Sequence, residues 1–263
     1  MTHDKLAHRK IINRIVISLI VLLSLFASRA NAATLDVAVE DAAGPWSEKD
    51  GTGFANDVVK AAFRAVGIEP KLRILPYARC KYLVKKGDVP VCFSVSPEPG
   101  IEDDVWFSKL PLFRLQYDYY QRLDTPLKSS APNTPVPGTV IGIVNGYEYP
   151  PSIEQAKENG VKFENARDEQ TNIRKLLHNR LDGVILNHNE IKTIAVMLKK
   201  AGATGKVGFA FRAGDLNAYV GFSKKHALGK RAKQKFDRGH ALIKQSGTLK
   251  RIEDEWIRRI NVE

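Results

Sequence analysis

Apolar and polar residues alternate over Leu35-Asp36-Val37-Ala38-Val39, the period-two pattern of a half-buried strand, and the alternation stops at Glu40. Gly44, Pro45 and Gly51 then mark a loop that carries Trp46. From Phe54 the apolar positions change spacing: Phe54, Val58, Ala61, Ala62, Ala65 and Val66 fall on one face of a helix that Gly67 is placed to stop. Residues 71–75 predict a second strand and residues 77–86 a short helix whose Cys80, Leu83 and Val84 share a face, with Gly87 as terminator. Residues 91–95 alternate again. Strands separated by helices predict βαβ units and a mainly parallel sheet.

Around residues 116–122 the pattern becomes extended, Tyr117-Asp118-Tyr119-Tyr120, and a Pro- and Ser-rich stretch follows over residues 125–137. Together they predict a first crossing between two lobes. Thr139-Val140-Ile141-Gly142-Ile143-Val144 reads as a buried strand, ending in Asn145-Gly146-Tyr147. Ile173, Leu176, Leu177 and Leu181 line a helix, residues 183–186 a strand, and Ile191, Ile194, Ala195 and Leu198 another helix, which makes a second small α/β unit. Residues 216–223 are extended and suit a return crossing. Leu228, Ala232, Phe236, Leu242 and Ile243, closed by Gly247, predict a long helix, and Leu249, Ile252, Trp256 and Ile260 a final amphipathic one. The apolar faces of both need the first unit as partner.

The N-terminus changes the picture of where this chain works. Lys5, Arg9, Lys10 and Arg14 precede an apolar run from Ile15 to Phe26, broken only by Ser18 and Ser24, and Ala30-Asn31-Ala32 follows. That order predicts a secretory signal peptide over residues 1–32, cleaved after Ala32, and a periplasmic protein. The apolar run is shorter than the roughly 20 residues of a spanning helix, and no Cys near Ala32 offers a lipid anchor. The whole chain carries a formal charge of +12; losing five basic residues and one acidic residue with the leader leaves +8. The basic residues are spread rather than gathered in one arm, which argues against nucleic acid and for a solvated basic surface.

Only two cysteines occur, Cys80 and Cys92. In an oxidising compartment an even pair close in sequence points to a disulfide, worth on the order of 3 kcal/mol; two buried free thiols are the alternative. No Cys or His stands at metal-ligand spacing, so neither a metal nor another cofactor is expected. His178, His188, His226 and His240 lie in polar contexts that give no support to Ser-His-Asp or Cys-His chemistry.

In their order along the chain, several segments resemble the family 3 extracellular solute-binding proteins, the periplasmic receptors of amino acid ABC transporters. They are Gly53-Phe54-Ala55-Asn56-Asp57-Val58-Val59-Lys60-Ala61, Leu83-Val84-Lys85-Lys86-Gly87-Asp88, Ser94-Val95-Ser96-Pro97-Glu98 and Phe107-Ser108-Lys109-Leu110-Pro111-Leu112. Further on come residues 138–146, Leu181-Asp182-Gly183-Val184, Val220-Gly221-Phe222-Ser223-Lys224 and residues 243–256. The resemblance implies an α/β fold of the periplasmic-binding-protein type II kind, with two α/β lobes joined by two extended hinge strands around a ligand cleft. Lobe 1 would comprise residues 33–120 plus 220–263 and lobe 2 residues 121–219. It further implies a receptor that closes on a small polar solute and presents it to the membrane subunits of an ABC transporter; a monomer is the default expectation.

On that template the candidate ligand-binding residues are Glu40, Trp46, Tyr77, Arg79, Ser94, Ser96, Asn145, Gly146, Tyr147 and Asn187. Trp46 and Tyr77 offer flat walls, and Glu40 and Arg79 offer charge. Ser94 and Ser96 offer hydroxyls at a strand end, and residues 145–147 offer backbone amides that suit an anionic group if a helix starts there. The departures are specific. Relatives that bind amino acids carry an Arg after the Ser/Thr turn for the ligand carboxylate, where this chain has Pro97-Glu98-Pro99-Gly100, and an Asp for the ligand amine, where it has Asn187. A dehydratase-like enzyme with Glu40 as acid or base, and a periplasmic sensor or interaction protein, are the competing readings.

Overall fold

The computed structural model describes residues 33–262; the expected leader, residues 1–32, lies outside the described residues. Nine strands of one sheet alternate with helices. In chain order they are β1 Ala33–Glu40, α1 Phe54–Arg64, β2 Ile68–Leu75, α2 Tyr77–Lys86, β3 Val91–Val95, β4 Val105–Phe107 and β5 Phe113–Arg122. Then come β6 Val140–Val144, α3 Pro151–Glu158, β7 Lys162–Ala166, α4 Glu169–Leu177, β8 Gly183–His188, α5 Ile194–Lys200, β9 Val207–Ser223, α6 Gly229–Gln245 and α7 Thr248–Val262. The sheet runs β7-β6-β8-β5-β9-β3-β1-β2, with β4 also against β9.

Two parallel groups stand at the ends of this order. In the first half β1 pairs parallel with β3, through Val37 opposite Val91. In the second half β6 pairs parallel with both β7 and β8. Antiparallel β5 and β9 join them. Gln116–Gln121 of β5 lie against β8, while Tyr219–Phe222 of β9 lie against β3. The 17-residue β9 therefore begins beside the second half and ends in the first. Its register shifts between Phe209 and Phe211, between Arg212 and Gly214, and between Tyr219 and Val220. Such irregularities bend a strand and raise its twist.

Burial explains the placements. Val37, Ala38 and Val39 are fully buried because β1 has neighbours on both edges and helices over its faces. α1 turns Val58, Val59, Ala62 and Phe63 inward, and Phe63 meets Phe236 of α6 at 5.4 Å between ring centroids. Trp256 of α7 donates its indole N–H to Asp57 of α1 at 2.9 Å. The two C-terminal helices thus cover the first half, as their apolar faces require.

The extended segment 116–122 of the expected first crossing lies in β5, which makes the passage, whereas residues 125–137 hold a small, largely exposed hairpin, Ser129–Ala131 with Thr134–Pro135. One expectation changes. Cys80 and Cys92 do meet in the core between α2 and β3, but as free buried thiols rather than a disulfide. The Cys80 thiol, hydrogen-bonded to Cys92, together with burial, pushes the Cys92 thiol well above its usual range.

Candidate functional site

Where the halves meet, the C-terminal end of β1 and the loop after it face the loop after β6. Glu40 is the last residue of β1 and only 5% exposed. Tyr147, from the loop after β6, donates its hydroxyl to Glu40 Oε1 at 2.7 Å. Burial drives the Glu40 carboxyl from 4.5 up to about 8; the Tyr147 hydrogen bond and the charge of Lys192 oppose the rise, and Glu169 and Asp41 add to it. A carboxyl held there is mostly protonated at neutral pH.

A second carboxylate, Glu148, is buried and lines the same cavity. Tyr77, at the start of α2, donates to its two oxygens at 2.9 and 2.8 Å. Lys81, one turn further along the same face, donates to Glu148 Oε1 at 3.0 Å and to Glu98 Oε1 at 2.8 Å. Burial raises Glu148, against the pull of Lys81 and Tyr77.

The third acidic group sits at the head of α4. Asp168 caps that helix by accepting from Thr171 N at 2.7 Å, and the next residue, Glu169, turns inward. Its Oε1 accepts the backbone N–H of Asn187 at 2.9 Å, and its Oε2 pairs with Lys192. Lys192 also donates to Asn187 Oδ1 at 2.6 Å and lies 4.5 Å above the Trp46 ring. With 2% exposure, this is a lysine enclosed by a carboxylate, an amide oxygen and an indole face.

These groups surround one cavity of about 20 Å³. Glu40, Trp46, Tyr77 and Ser94 line it from the first half, Tyr147, Glu148 and Asn187 from the second, and Phe113, Leu115 and Tyr117 from β5. Trp46 stacks on Phe113 at 4.7 Å, and Tyr77 meets Tyr147 edge-on at 5.2 Å. The Tyr117 hydroxyl is hydrogen-bonded to Asn187, and the Trp46 indole N–H is buried without a partner. Room for about one water remains, so a larger solute needs the walls to part. A wider recess of about 640 Å³ lies between β5, β9 and α7. Arg114 and Arg212 pair there with Asp215 and Lys250 pairs with Asp254, and its lining contains none of the sequence candidates.

Six of the ten candidates therefore come together: Glu40, Trp46, Tyr77, Ser94, Tyr147 and Asn187. The other four stand outside the lining. Arg79 is exposed and packs its guanidinium on the Tyr82 ring at 5.0 Å, on the outer side of α2. Ser96 is buried, and its hydroxyl has no partner. Asn145 is exposed, and its N–H already donates to Ala166 O at 2.9 Å, as that of Tyr147 does to Val144 O at 3.3 Å. With those amides spent and α3 starting only at Pro151, no helix N-terminus faces an anion there. Gly146 serves a close approach instead: at φ +84° a Cβ would stand 2.8 Å from Ala78 Cβ of α2. Glu148, Glu169, Lys192, Phe113 and Tyr117 were not singled out by sequence.

No family model and no curated protein sequence matches the chain. Solved structures do. A histidine kinase sensor domain with similarity to periplasmic binding proteins aligns over 87% of this chain and 97% of its own, with TM-score 0.72 and 14% identity. An ancestral arginine-binding protein bound to arginine aligns over 85% and 98%, with TM-score 0.70 and 18% identity. The GluR0 ligand-binding core from Nostoc punctiforme in complex with L-glutamate aligns over 84% and 98%, with TM-score 0.68 and 17% identity. With its two parallel groups joined by β5 and β9, the chain has the α/β fold of the type II periplasmic binding proteins.

Proposed function

We propose that the mature chain is a periplasmic solute receptor whose two lobes close on a small polar solute and present it to an ABC importer. The observation that carries this is the cavity itself: residues far apart in sequence and from both halves of the sheet converge on it, and only β5 and β9 connect those halves. The lobes comprise residue 33 to the start of β5 with the C-terminal part of β9 and α6–α7, and the segment between. Contacts across the cleft, Tyr147 to Glu40, Tyr77 and Lys81 to Glu148, Lys192 over Trp46 and Arg167 to Asp41 at 2.8 Å, favour closure. A solute adds to them by contacts made only in the closed form. A thermal-shift screen of amino acids, amines, sugars and organic acids against the mature protein tests the reading. Stabilisation by one chemical class supports it, and a flat response to all of them counts against it.

One feature favours a second reading. A carboxyl raised to about 8 in an aromatic cleft suits a general acid. A dehydratase-like lyase would turn over a hydroxy acid with loss of water, and Glu40→Gln would abolish product formation while leaving substrate bound. The same receptor reading accommodates a sensor role, distinguished by which membrane partner the closed form engages.

A further inference from the structure

We infer that the solute is a small organic cation, an amine or ammonium compound without a carboxylate, held between Glu40 and Glu148 against aromatic faces. This rests on the receptor reading above and narrows it.

Apart from tyrosine hydroxyls, the ionisable groups lining the cavity are both carboxyls. Glu40 and Glu148 both face it, and no Lys, Arg or His lines it. Lys81 reaches Glu148 from the side and is shared with Glu98. Lys192, the basic group that acts on Glu40, is committed to Glu169 and Asn187. Glu40 is thus left with a hydroxyl, Tyr147, and no cation in contact. A ligand carboxylate placed here would meet two buried carboxyl groups with no guanidinium to receive it, the reverse of what an amino acid needs.

The walls suit the same class. Tyr77, Tyr117 and Tyr147 bring rings to the cavity from both halves and from β5, and aromatic rings attract ammonium groups; the Trp46 ring is already stacked on Phe113 and covered by Lys192. The molecule demonstrates that chemistry one layer deeper, where the Lys192 Nζ sits over the Trp46 ring and against a carboxylate. An external ammonium between Glu40 and the tyrosines would repeat this arrangement on the other side of the cleft.

Binding must then move a proton. A cation favours the charged form of Glu40, which is mostly protonated at pH 7 in the closed protein. The titratable groups acting on it are Tyr147 from the loop after β6, Lys192 after β8, Glu169 of α4 and its neighbour Asp41. Linkage predicts that closure on a cation releases a proton from the protonated share of Glu40, so that affinity tightens as pH rises toward 8 and levels above it.

Isothermal titration of the mature protein with tetramethylammonium, putrescine and guanidinium, beside acetate, L-glutamate and glucose, tests this. Runs in buffers of differing ionisation enthalpy give the proton count. The expected result is binding of at least one cation with proton release, and loss of that release and of affinity in Glu40→Gln, whose folding is checked by circular dichroism. Binding of glutamate, acetate or glucose in preference to the cations would overturn the inference and leave the receptor reading standing. Binding of a cation with an affinity unchanged by Glu40→Gln would remove Glu40 from the site and overturn it also. Absence of binding by every probe class would count against both.

Discussion

Replacing Glu40 by Gln isolates the group on which the chemistry of the cleft turns. Gln keeps the size and an oxygen to accept the Tyr147 hydroxyl, and it removes the titration. In the folded protein the carboxyl is held near 8 against 4.5 unfolded, so between those values the folded state binds more protons. Stability therefore falls as pH rises through this window. The full difference corresponds to about 5 kcal/mol, and the part crossed between pH 5 and pH 7 to about 2–3 kcal/mol. The variant lacks this slope. Urea denaturation of wild type and variant at half-unit steps from pH 5 to pH 8 reads the difference directly, because groups common to both proteins cancel. The variant should gain on the wild type by about 2–3 kcal/mol over pH 5 to 7, or roughly 5–10 °C in Tm for a chain of this size. Parallel pH profiles would refute the reasoning, since they would mean that Glu40 is solvated and ionised like an ordinary surface carboxylate.

Other outcomes follow from single contacts. Lys192→Met leaves Glu169 buried without its cation and should cost about 3–5 kcal/mol in urea denaturation, with Glu169→Gln in the same chain recovering part of it; a loss below about 1 kcal/mol would contradict the buried pair. Tyr147→Phe removes the hydrogen bond that lowers Glu40 and should raise the Glu40 carboxyl further, read by carbon-13 NMR of the side chain, whereas a downward move would contradict the contact. Gly239→Ala puts a Cβ 1.9 Å from the Ala62 carbonyl oxygen where α6 crosses α1, so it should destabilise by about 1–3 kcal/mol despite the better helix propensity of Ala. An unchanged or higher Tm would show that the helices shift freely.

Much of the fold can be read from the chain because its signals are local. Alternation over residues 35–39 and 91–95 matches β1 and β3, and Gly87 stops α2 in a left-handed conformation at φ 92°. β7 and α3 escape such reading: Lys162–Ala166 holds a single large apolar residue, Phe163, on an edge strand that needs little burial, and α3 opens with prolines that read as loop. The expected return crossing over residues 216–223 lies in β9, and the first differs only in its second part. A Pro-rich stretch marks a turn wherever it lies, and pairing shows that the extended segment before it, β5, makes the crossing by itself. In the site, Glu40, Trp46 and Tyr147 stand out as polar or aromatic residues at strand ends and in loops. Glu169 and Lys192 do not, because a helix N-terminal Glu and a loop Lys look like solvated surface until tertiary packing encloses them together. Arg79 misleads in the opposite way, since its helix turns it outward while Tyr77 and Lys81 turn in.

Small-angle scattering of the mature protein with and without a solute that stabilises it tests lobe closure most directly. A compact chain of this length has a radius of gyration of about 17 Å. The account predicts that saturating solute reduces the measured radius toward that value. A radius that stays constant on saturation would mean that the halves do not move against each other, and the cleft would then be a packed seam rather than a binding site.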